Sequence, residues 1–195
     1  MKRTIALLRG ININGKNKVP MAELKSLFEA HSFENVKTVL NSGNVLFSCG
    51  ETDTQTLTAQ IAQAVKERFG FEVPVFVIEQ EALEDILRHA PAWWGTEDKA
   101  VYDNLIFILP PATVADVYAA LGEPKAGLEQ AQAYQNAVFW SFSRKDYQKT
   151  NWWSKTASLP IGQKLTIRTA GTLRKCVAAE QITADDAKNR RKHDG

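Results

Sequence analysis

Short apolar runs alternate with amphipathic stretches in the first part of the chain. Four runs have the length and composition of strands: Thr4–Leu8, Val36–Leu40, Val45–Ser48 and Val73–Ile78. Between them, two stretches repeat apolar residues at helical spacing: Met21, Leu24, Leu27 and Phe28, and then Leu57, Ile61, Ala64, Val65 and Phe69. The pattern predicts the order strand, helix, strand, strand, helix, strand, which is the split βαβ arrangement of ferredoxin-like folds.

A second half repeats this order more loosely, after a helix over Glu79–Ala90 and a tryptophan-bearing loop over residues 92–103. Its predicted elements are a strand at Asn104–Leu109, a helix at Thr113–Leu121, a hairpin of Gln130–Tyr134 and Ala137–Phe142, a helix at Asp146–Lys155, a strand at Leu165–Arg168 and a helix at Thr172–Gln181. We therefore predict an α+β fold of two tandem ferredoxin-like (split βαβ) halves, with mainly antiparallel sheets and helices on one face. The expected boundaries are 1–79 for the first half, 80–103 for the connection, 104–186 for the second half and 187–195 for a disordered basic tail.

Composition is that of a globular protein with a real core: 44% of the 195 residues are hydrophobic and 24% are charged. The net charge of +2 is too small to indicate nucleic-acid binding by itself. No secretory signal and no membrane-spanning run is apparent. Cys49 and Cys176 are isolated in the sequence, which favours free thiols. Together these features predict a cytoplasmic protein.

The loop between the first strand and the first helix is basic and rich in asparagine. It contains Arg9, Asn12, Asn14, Lys16 and Lys18. A loop that leads from a strand into a helix presents free N–H groups and the positive end of the helix dipole. Cationic side chains there suit a phosphate or a carboxylate, so we expect a small anionic ligand. The plainer alternative is a solvated loop whose lysines serve solubility.

The same loop resembles a nucleotide-binding P-loop only in spacing. Gly10 to Lys16 fits G-x-x-x-x-G-K after a strand. However, Asn17 stands where Ser or Thr would hold magnesium, and Pro20 delays the helix that should begin at the lysine. We therefore reject NTP hydrolysis.

Three segments, LLRGINI, GKNKVPMAEL and TVLNSGNVLF, closely resemble the bacterial family of domains of unknown function numbered sixteen ninety-seven. The match is specific over Thr4–Phe47. The resemblance implies an α+β fold of duplicated ferredoxin-like type and no established activity. Family members end with a segment like T-x-R-N-W-N-T. Here Arg168 and Thr172 fit that segment, but Thr169, Ala170 and Gly171 replace its Asn-Trp-Asn core.

Three polar turns fall at strand ends: the basic loop, the hairpin turn Asn41–Asn44 and the turn after the last strand. If they converge, they form a cationic pocket that suits a phosphate. The predicted ligand-binding residues are Arg9, Asn12, Asn14, Lys16, Lys18, Asn41, Asn44, Arg168 and Thr172. Turn geometry alone would also explain Asn41 and Asn44, and a surface ion pair would explain Arg168.

Single-stranded nucleic acid is the main alternative ligand. Aromatic and basic residues are interleaved in one region: Phe139, Trp140, Phe142, Arg144, Lys145, Lys149, Trp152, Trp153 and Lys155. There is no RNA-recognition-motif signature. Trp140 and Phe142 alternate with Ser141 and Ser143, which favours core packing for one face of this strand.

An enzyme acting on a phosphorylated substrate is a further alternative, with Lys16 and Arg168 as charge stabilisers. None of the three histidines, His31, His89 and His193, has the context of a catalytic triad. No cluster of Cys, His or carboxylate residues has metal-ligand spacing, so we expect neither metal nor cofactor. The sequence leaves the oligomeric state open.

Overall fold

The computed structural model describes residues 1–51 and 53–179, which form two compact units. The first unit comprises residues 1–82 together with 172–179 of the described chain, and the second comprises 83–171. The strands are β1 (Lys2–Leu8), β2 (Glu34–Val39), β3 (Asn44–Cys49), β4 (Val75–Glu79), β5 (Val101–Ile108), β6 (Glu129–Tyr134), β7 (Ala137–Ser143) and β8 (Leu165–Thr169). The helices are α1 (Met21–Ala30), α2 (Thr54–Phe69), α3 (Gln80–Arg88), α4 (Val114–Leu121), α5 (Trp152–Ser158) and α6, which is described over 170–179.

The first unit has a four-stranded antiparallel sheet with the order β2-β3-β1-β4. Alternation along the strands directs Ala6, Leu8 and Phe47 toward one apolar core. Helices α1 and α2 contribute buried residues such as Phe28 and Ile61 to the same core, which confirms their predicted apolar faces. Strand β4 lies at an edge of the sheet, and Pro74, which directly precedes it, is tolerated at such an edge position.

The second unit repeats the order of elements, with an antiparallel sheet of order β6-β7-β5-β8. Its core contains Ile106, Val117, Trp140 and Trp152. Phe142 is also only 3% exposed. The expectation that Trp140 and Phe142 pack in a core is therefore confirmed.

Glu129 is a buried carboxylate that determines where α5 begins. Its Oε1 accepts hydrogen bonds from the backbone N–H groups of Lys125 (2.9 Å) and Asn151 (2.5 Å). Its Oε2 accepts from the indole of Trp140 (2.9 Å) and from the backbone N–H of Trp152 (3.4 Å). These N–H groups at the start of α5 would otherwise lack partners, so Glu129 acts as a long-range helix cap.

The structure corrects several predicted boundaries, of which three concern the later part of the chain. Strand β5 begins at Val101, inside the predicted loop, because residues 101–103 pair with β7. The helix expected over Asp146–Lys155 is a 3₁₀ turn at Tyr147–Lys149 followed by α5, since Glu129 satisfies a new helix start. Helix α6 begins at residue 170. The predicted end of this helix at Gln181 and the predicted tail 187–195 lie outside the described residues.

Three observations concern the cysteines, membrane spans and metal ligands of the described residues. Both cysteines are free, as the sequence predicted, and both are buried. No helix in residues 1–51 and 53–179 combines the length and the apolar character that a membrane span requires. Over the same residues, no group of three or more potential metal ligands comes together.

Candidate functional site

Residues 9–20, which we call the basic loop, connect β1 to α1. Two backbone hydrogen bonds fix its start: Leu8 N–H donates to Gly43 O (2.8 Å) and Arg9 N–H donates to Pro74 O (2.9 Å). The first of these ties the loop to the hairpin turn between β2 and β3, and the second ties it to the segment before β4. These two hydrogen bonds therefore fix the backbone at the end of β1, where the basic loop begins.

The middle of the basic loop is a small hairpin. Asn12 N–H donates to Asn17 O (3.0 Å), and Lys16 N–H donates to Ile13 O (2.9 Å). Five residues of the basic loop have positive φ: Gly10, Asn12, Asn14, Gly15 and Asn17. Glycine and asparagine tolerate this left-handed backbone better than other residues do, which explains why the loop is built from them. This hairpin presents Ile13, Asn14 and Lys16 to solvent.

The side chain of Asn12 holds the hairpin to its surroundings. Its Nδ2 donates to Val19 O (3.0 Å) and to Asn41 O (2.8 Å), and its Oδ1 accepts from Val19 N–H (2.8 Å). Asn17 adds a bond from its Nδ2 to Gly10 O (3.1 Å). The amide of Asn12 is thus occupied by hydrogen bonds within the protein, and these bonds hold the basic loop against the β2–β3 turn.

Gly43 allows the close approach of these two segments. A Cβ atom at this position would lie 2.8 Å from Leu8 Cβ and 2.8 Å from Ile11 Cδ1, and φ is +85°. Only glycine meets both conditions. Ile11 is 2% exposed and belongs to the core of the first unit, so the loop is anchored by an apolar contact as well as by hydrogen bonds.

The charge of the site comes from Arg9, Lys16 and Lys18. Arg9 is half-buried, and burial lowers the pKa of its guanidinium. In the described part of the chain, the guanidinium has neither a carboxylate nor a hydrogen-bond acceptor as a partner. Lys16 and Lys18 are exposed. No acidic residue occurs between Arg9 and Ala22, so the positive charge of the loop is not neutralised locally.

Helix α1 begins beside this loop without a side-chain cap. Its N-cap residue is Pro20, whose side chain cannot accept a hydrogen bond. The first acidic residue, Glu23, pairs with Arg68 of α2. Free N–H groups at the start of α1 therefore add to the positive potential near the loop.

The other predicted site residues have different surroundings. Asn41 is exposed and meets the basic loop through its carbonyl oxygen. Asn44 lies in β3 and is fully buried, and its amide donates to Val39 O (2.8 Å) and Ser42 Oγ (3.0 Å). It therefore holds the turn and does not face solvent. The structure brings the basic loop and the β2–β3 turn together.

Arg168 and Thr172 belong to the third predicted turn. Arg168 lies in β8 of the second unit and is 8% exposed. Its NH1 donates to Thr166 Oγ1 and to Ile167 O, both at 3.1 Å, among its contacts. Thr172 lies within α6, on the part of the chain that belongs to the first unit.

Sequence reasoning missed two residues that shape the site, Asn17 and Gly43. In the sequence, Asn17 stands out only as a departure from the P-loop pattern, and Gly43 only as part of the hairpin turn Asn41–Asn44. The available signal was the density of Asn and Gly in the basic loop, which indicates a series of left-handed residues. The contact between Gly43 and Ile11 joins distant parts of the sequence and leaves no local signal.

A second polar cluster joins α3 to the β6–β7 turn. The carboxylate of Asp85 accepts from Tyr134 Oη (2.9 Å), Gln135 Nε2 (3.0 Å) and Arg88 NH2 (3.0 Å). The Tyr134 hydroxyl lowers the pKa of Asp85, and in return the pKa of Tyr134 is raised. The His89 ring stacks on Tyr134 at 4.2 Å. Because three donors stabilise the ionised carboxylate, Asp85 is a poor general base, and its role is to join α3 to the β6–β7 turn.

Comparison with known proteins identifies relatives but no ligand. Residues 1–139 match the family described as a protein of unknown function (DUF1697). A search of curated proteins gave no match. Among solved structures, the conserved bacterial protein SP0830 from Streptococcus pneumoniae is similar, with a TM-score of 0.76 and 28% sequence identity. The alignment covers 89% of this chain and 96% of that chain, so the similarity spans elements of both units.

Proposed function

Because the chain belongs to the DUF1697 family of proteins of unknown function, we propose its function from its own site: the basic loop binds a small phosphorylated or carboxylated ligand. The observation that carries this proposal is Arg9. A half-buried guanidinium that lacks a protein acceptor in the described chain is costly, because charged groups lose hydration on burial. An anionic ligand would supply the missing partner.

The surroundings of Arg9 fit an anion better than any other ligand. A guanidinium presents paired N–H donors that match phosphate and carboxylate oxygens. Lys16 and Lys18 add positive charge without an acidic neighbour in the loop. The loop hairpin is fixed by Asn12, so its donors are preorganised, which reduces the entropy lost on binding.

We extend the proposal to the fold and the compartment. Each unit has the element order βαββαβ with its first strand inside the sheet, which supports two ferredoxin-like halves in tandem. The resemblance to a bacterial family and the reduced cysteines support a cytoplasmic bacterial protein.

The test is a thermal-shift and calorimetry panel on the full chain, with inorganic phosphate, nucleotides, sugar phosphates and carboxylates as probes. Arg9→Gln and Lys16→Ala should each weaken binding at least about tenfold, since 1.4 kcal/mol corresponds to that factor. Lys164→Ala removes the same charge from an exposed site in the second unit and should leave affinity unchanged. Equal affinity of the wild type and Arg9→Gln would contradict the proposal.

One observation favours a second candidate, single-stranded nucleic acid. Trp140 and Trp152 are buried, but Trp153 is 41% exposed. Trp153 packs edge-on against Phe142 and Tyr147, which leaves part of its ring open for stacking with a base. Binding of labelled single-stranded RNA or DNA should then weaken steeply with salt and be lost in Trp153→Ala. Binding that survives this substitution would remove the candidate.

A further inference from the structure

The tip of the basic loop projects from the first unit. Its residues 13–18 are exposed one after another, whereas Ile11 and Val19, on either side of them, are 2% and 1% exposed. Ile11 and Val19 belong to the apolar core of the first unit. A bridge between Ile13 and Lys16 closes the tip. The tip is therefore a short hairpin with both ends anchored in the core.

Two exposed apolar residues lie at this tip and beside it. The exposed large hydrophobic residues of the described chain are Met1, Ile13, Leu40 and Trp153. Such residues are common when they are scattered singly. Ile13 and Leu40, however, are 56% and 46% exposed, and they adjoin in sequence the two residues of the hydrogen bond from Asn12 Nδ2 to Asn41 O (2.8 Å). That bond holds the two apolar residues on neighbouring segments of the surface.

The backbone conformation of Leu40 is unfavourable for leucine. Its φ is +57°, in the left-handed region that glycine, asparagine and aspartate adopt more readily. Burial of the side chain does not offset this strain, because nearly half of the residue is exposed. Leu40 therefore keeps an apolar group at the surface and reduces stability in doing so, which is typical of positions that serve function.

Positive charge accompanies these apolar residues. Lys16 and Lys18 are exposed on the same hairpin as Ile13. The β2–β3 turn, residues 40–43, is uncharged, and the basic loop contains no acidic residue. We call Ile13, Lys16, Lys18 and Leu40 together the tip surface. It combines two cationic groups with two aliphatic groups.

This combination fits a bilayer with anionic lipids better than it fits a soluble ligand or a nucleic acid. Lysines gain from the negative potential of such a membrane, and aliphatic side chains gain from entering the boundary between headgroups and acyl chains. A projecting hairpin has no walls that would enclose the apolar part of a soluble ligand. Nucleic acid would meet the lysines, but unpaired bases stack on aromatic rings, which Ile13 and Leu40 lack.

We propose that the tip surface binds the surface of an anionic lipid bilayer. Ile13 and Leu40 enter the boundary between headgroups and acyl chains, and Lys16 and Lys18 contact the lipid phosphates. This role goes beyond the small-ligand site at Arg9, because its apolar contacts do not involve that guanidinium. Since the contact is small, binding is weak and reversible and needs both the charge and the apolar side chains.

The test is co-sedimentation of the full chain with lipid vesicles, which measures how the bound fraction rises with lipid concentration. One set of vesicles contains phosphatidylglycerol and phosphatidylcholine in equal parts, and the other contains phosphatidylcholine alone. Partition onto the anionic vesicles should be at least about tenfold stronger, because each basic residue near such a surface contributes about fivefold. It should also weaken as the salt concentration rises.

Ile13→Ser and Leu40→Asn remove the apolar groups and keep the charge. Asparagine suits the positive φ at position 40, so the fold should persist, as thermal denaturation checks. Each variant should lower partition onto the anionic vesicles at least about fourfold, the effect of one buried methylene group. Ile13→Trp should retain or strengthen partition, because indole rings favour the membrane interface.

Inorganic phosphate separates membrane binding from the small-ligand site. Ile13→Ser should bind phosphate as the wild type does, whereas Arg9→Gln should lose phosphate and weaken vesicle partition by no more than about fivefold, the effect of one charge. Lys164→Ala removes an exposed lysine from the second unit and should leave partition unchanged. If phosphate does not bind while partition depends on Ile13, the small-ligand proposal fails and membrane binding stands.

The proposal is overturned if the protein does not bind anionic vesicles at millimolar lipid, or if both kinds of vesicle bind it equally. It is also overturned if Ile13→Ser and Leu40→Asn partition as the wild type does. That result would mean a purely electrostatic contact, of the kind that a soluble polyanion or an acidic protein makes.

Discussion

The two units build the same connection, from their first strand to their first helix, in opposite ways. In the first unit, the basic loop is long, rich in positive-φ residues and followed by a helix without a side-chain cap. In the second unit, residues 109–113, which we call the proline loop, are short and uncharged. There, Thr113 and Asp116 form a capping box at the start of α4. The basic loop leaves the first N–H groups of α1 without a side-chain acceptor, whereas the proline loop provides such an acceptor for α4.

This difference shows that the fold does not require the basic loop. In the second unit, the short proline loop and its capped helix serve the same topology. The length, charge and left-handed backbone of the basic loop therefore need another explanation. Strained residues and uncompensated charge reduce stability and persist where they serve function. The comparison therefore supports a ligand-binding role for the basic loop and a structural role for the proline loop.

Both units also tie this connection to their first hairpin by an asparagine, but in opposite directions. In the first unit, Asn12 of the loop donates to Asn41 O of the hairpin (2.8 Å). In the second, Asn136 of the hairpin donates to Ile108 O (3.3 Å) and Ala112 O (3.2 Å). The first tie is shorter and has two further bonds to Val19, so it should contribute more to stability.

Gly43→Ala should have the largest effect on stability. The added Cβ would overlap Leu8 and Ile11, and the positive φ would be strained for alanine. We expect a loss of about 3 kcal/mol in the free energy of unfolding, from overpacking and backbone strain together. Urea denaturation measures it. A loss below about 1 kcal/mol would mean that the basic loop is not packed against the hairpin turn as described.

Asn12→Ala compared with Asn136→Ala measures the two ties directly. Asn12→Ala removes three hydrogen bonds and should cost about 2–3 kcal/mol, at roughly 1 kcal/mol each. Asn136→Ala removes two longer bonds at an exposed position and should cost about 1 kcal/mol or less. Equal losses in urea denaturation would contradict the asymmetry between the units.

Thr113→Ala tests whether the proline loop is purely structural. Loss of the capping box should cost about 1 kcal/mol of stability, a typical value for an N-cap residue. Anion affinity should stay the same in calorimetry. A change in affinity with this variant would show that the two connections do not differ in role.

Lys16→Ala and Lys18→Ala should have the smallest effect on stability. Both side chains are exposed and form no ion pair within the described chain, so each substitution should change the free energy of unfolding by less than about 0.5 kcal/mol. Thermal denaturation without ligand checks this. A clear destabilisation would mean that the lysines support the fold, which would weaken their assignment to ligand binding.

Local patterns predicted most elements, and long-range contacts account for the differences. Apolar spacing predicted α1 and α2, and the Gln135–Asn136 turn predicted the β6–β7 hairpin, because these signals lie within a few residues. The start of β5 was missed because polar Asp103 is satisfied by Ser141, far along the chain. The start of α5 was missed because its cap, Glu129, is equally distant in sequence.

The candidate site also combines features that are visible in the local sequence with features that depend on long-range packing. The density of asparagine and glycine in the basic loop fits its left-handed backbone, but only its charges, on Arg9, Lys16 and Lys18, entered the prediction from sequence. The half-burial of Arg9 and the contact of Gly43 with Ile11 depend on how distant segments pack.

The most direct test is a titration of the isotope-labelled protein with inorganic phosphate, followed through the NMR signals of its backbone amides. The account predicts changes concentrated in residues 9–20 and 41–43, no change in residues 109–113, and loss of the response in Arg9→Gln. Changes centred on the proline loop, or a response that Arg9→Gln retains, would contradict the assignment of the basic loop as the anion site.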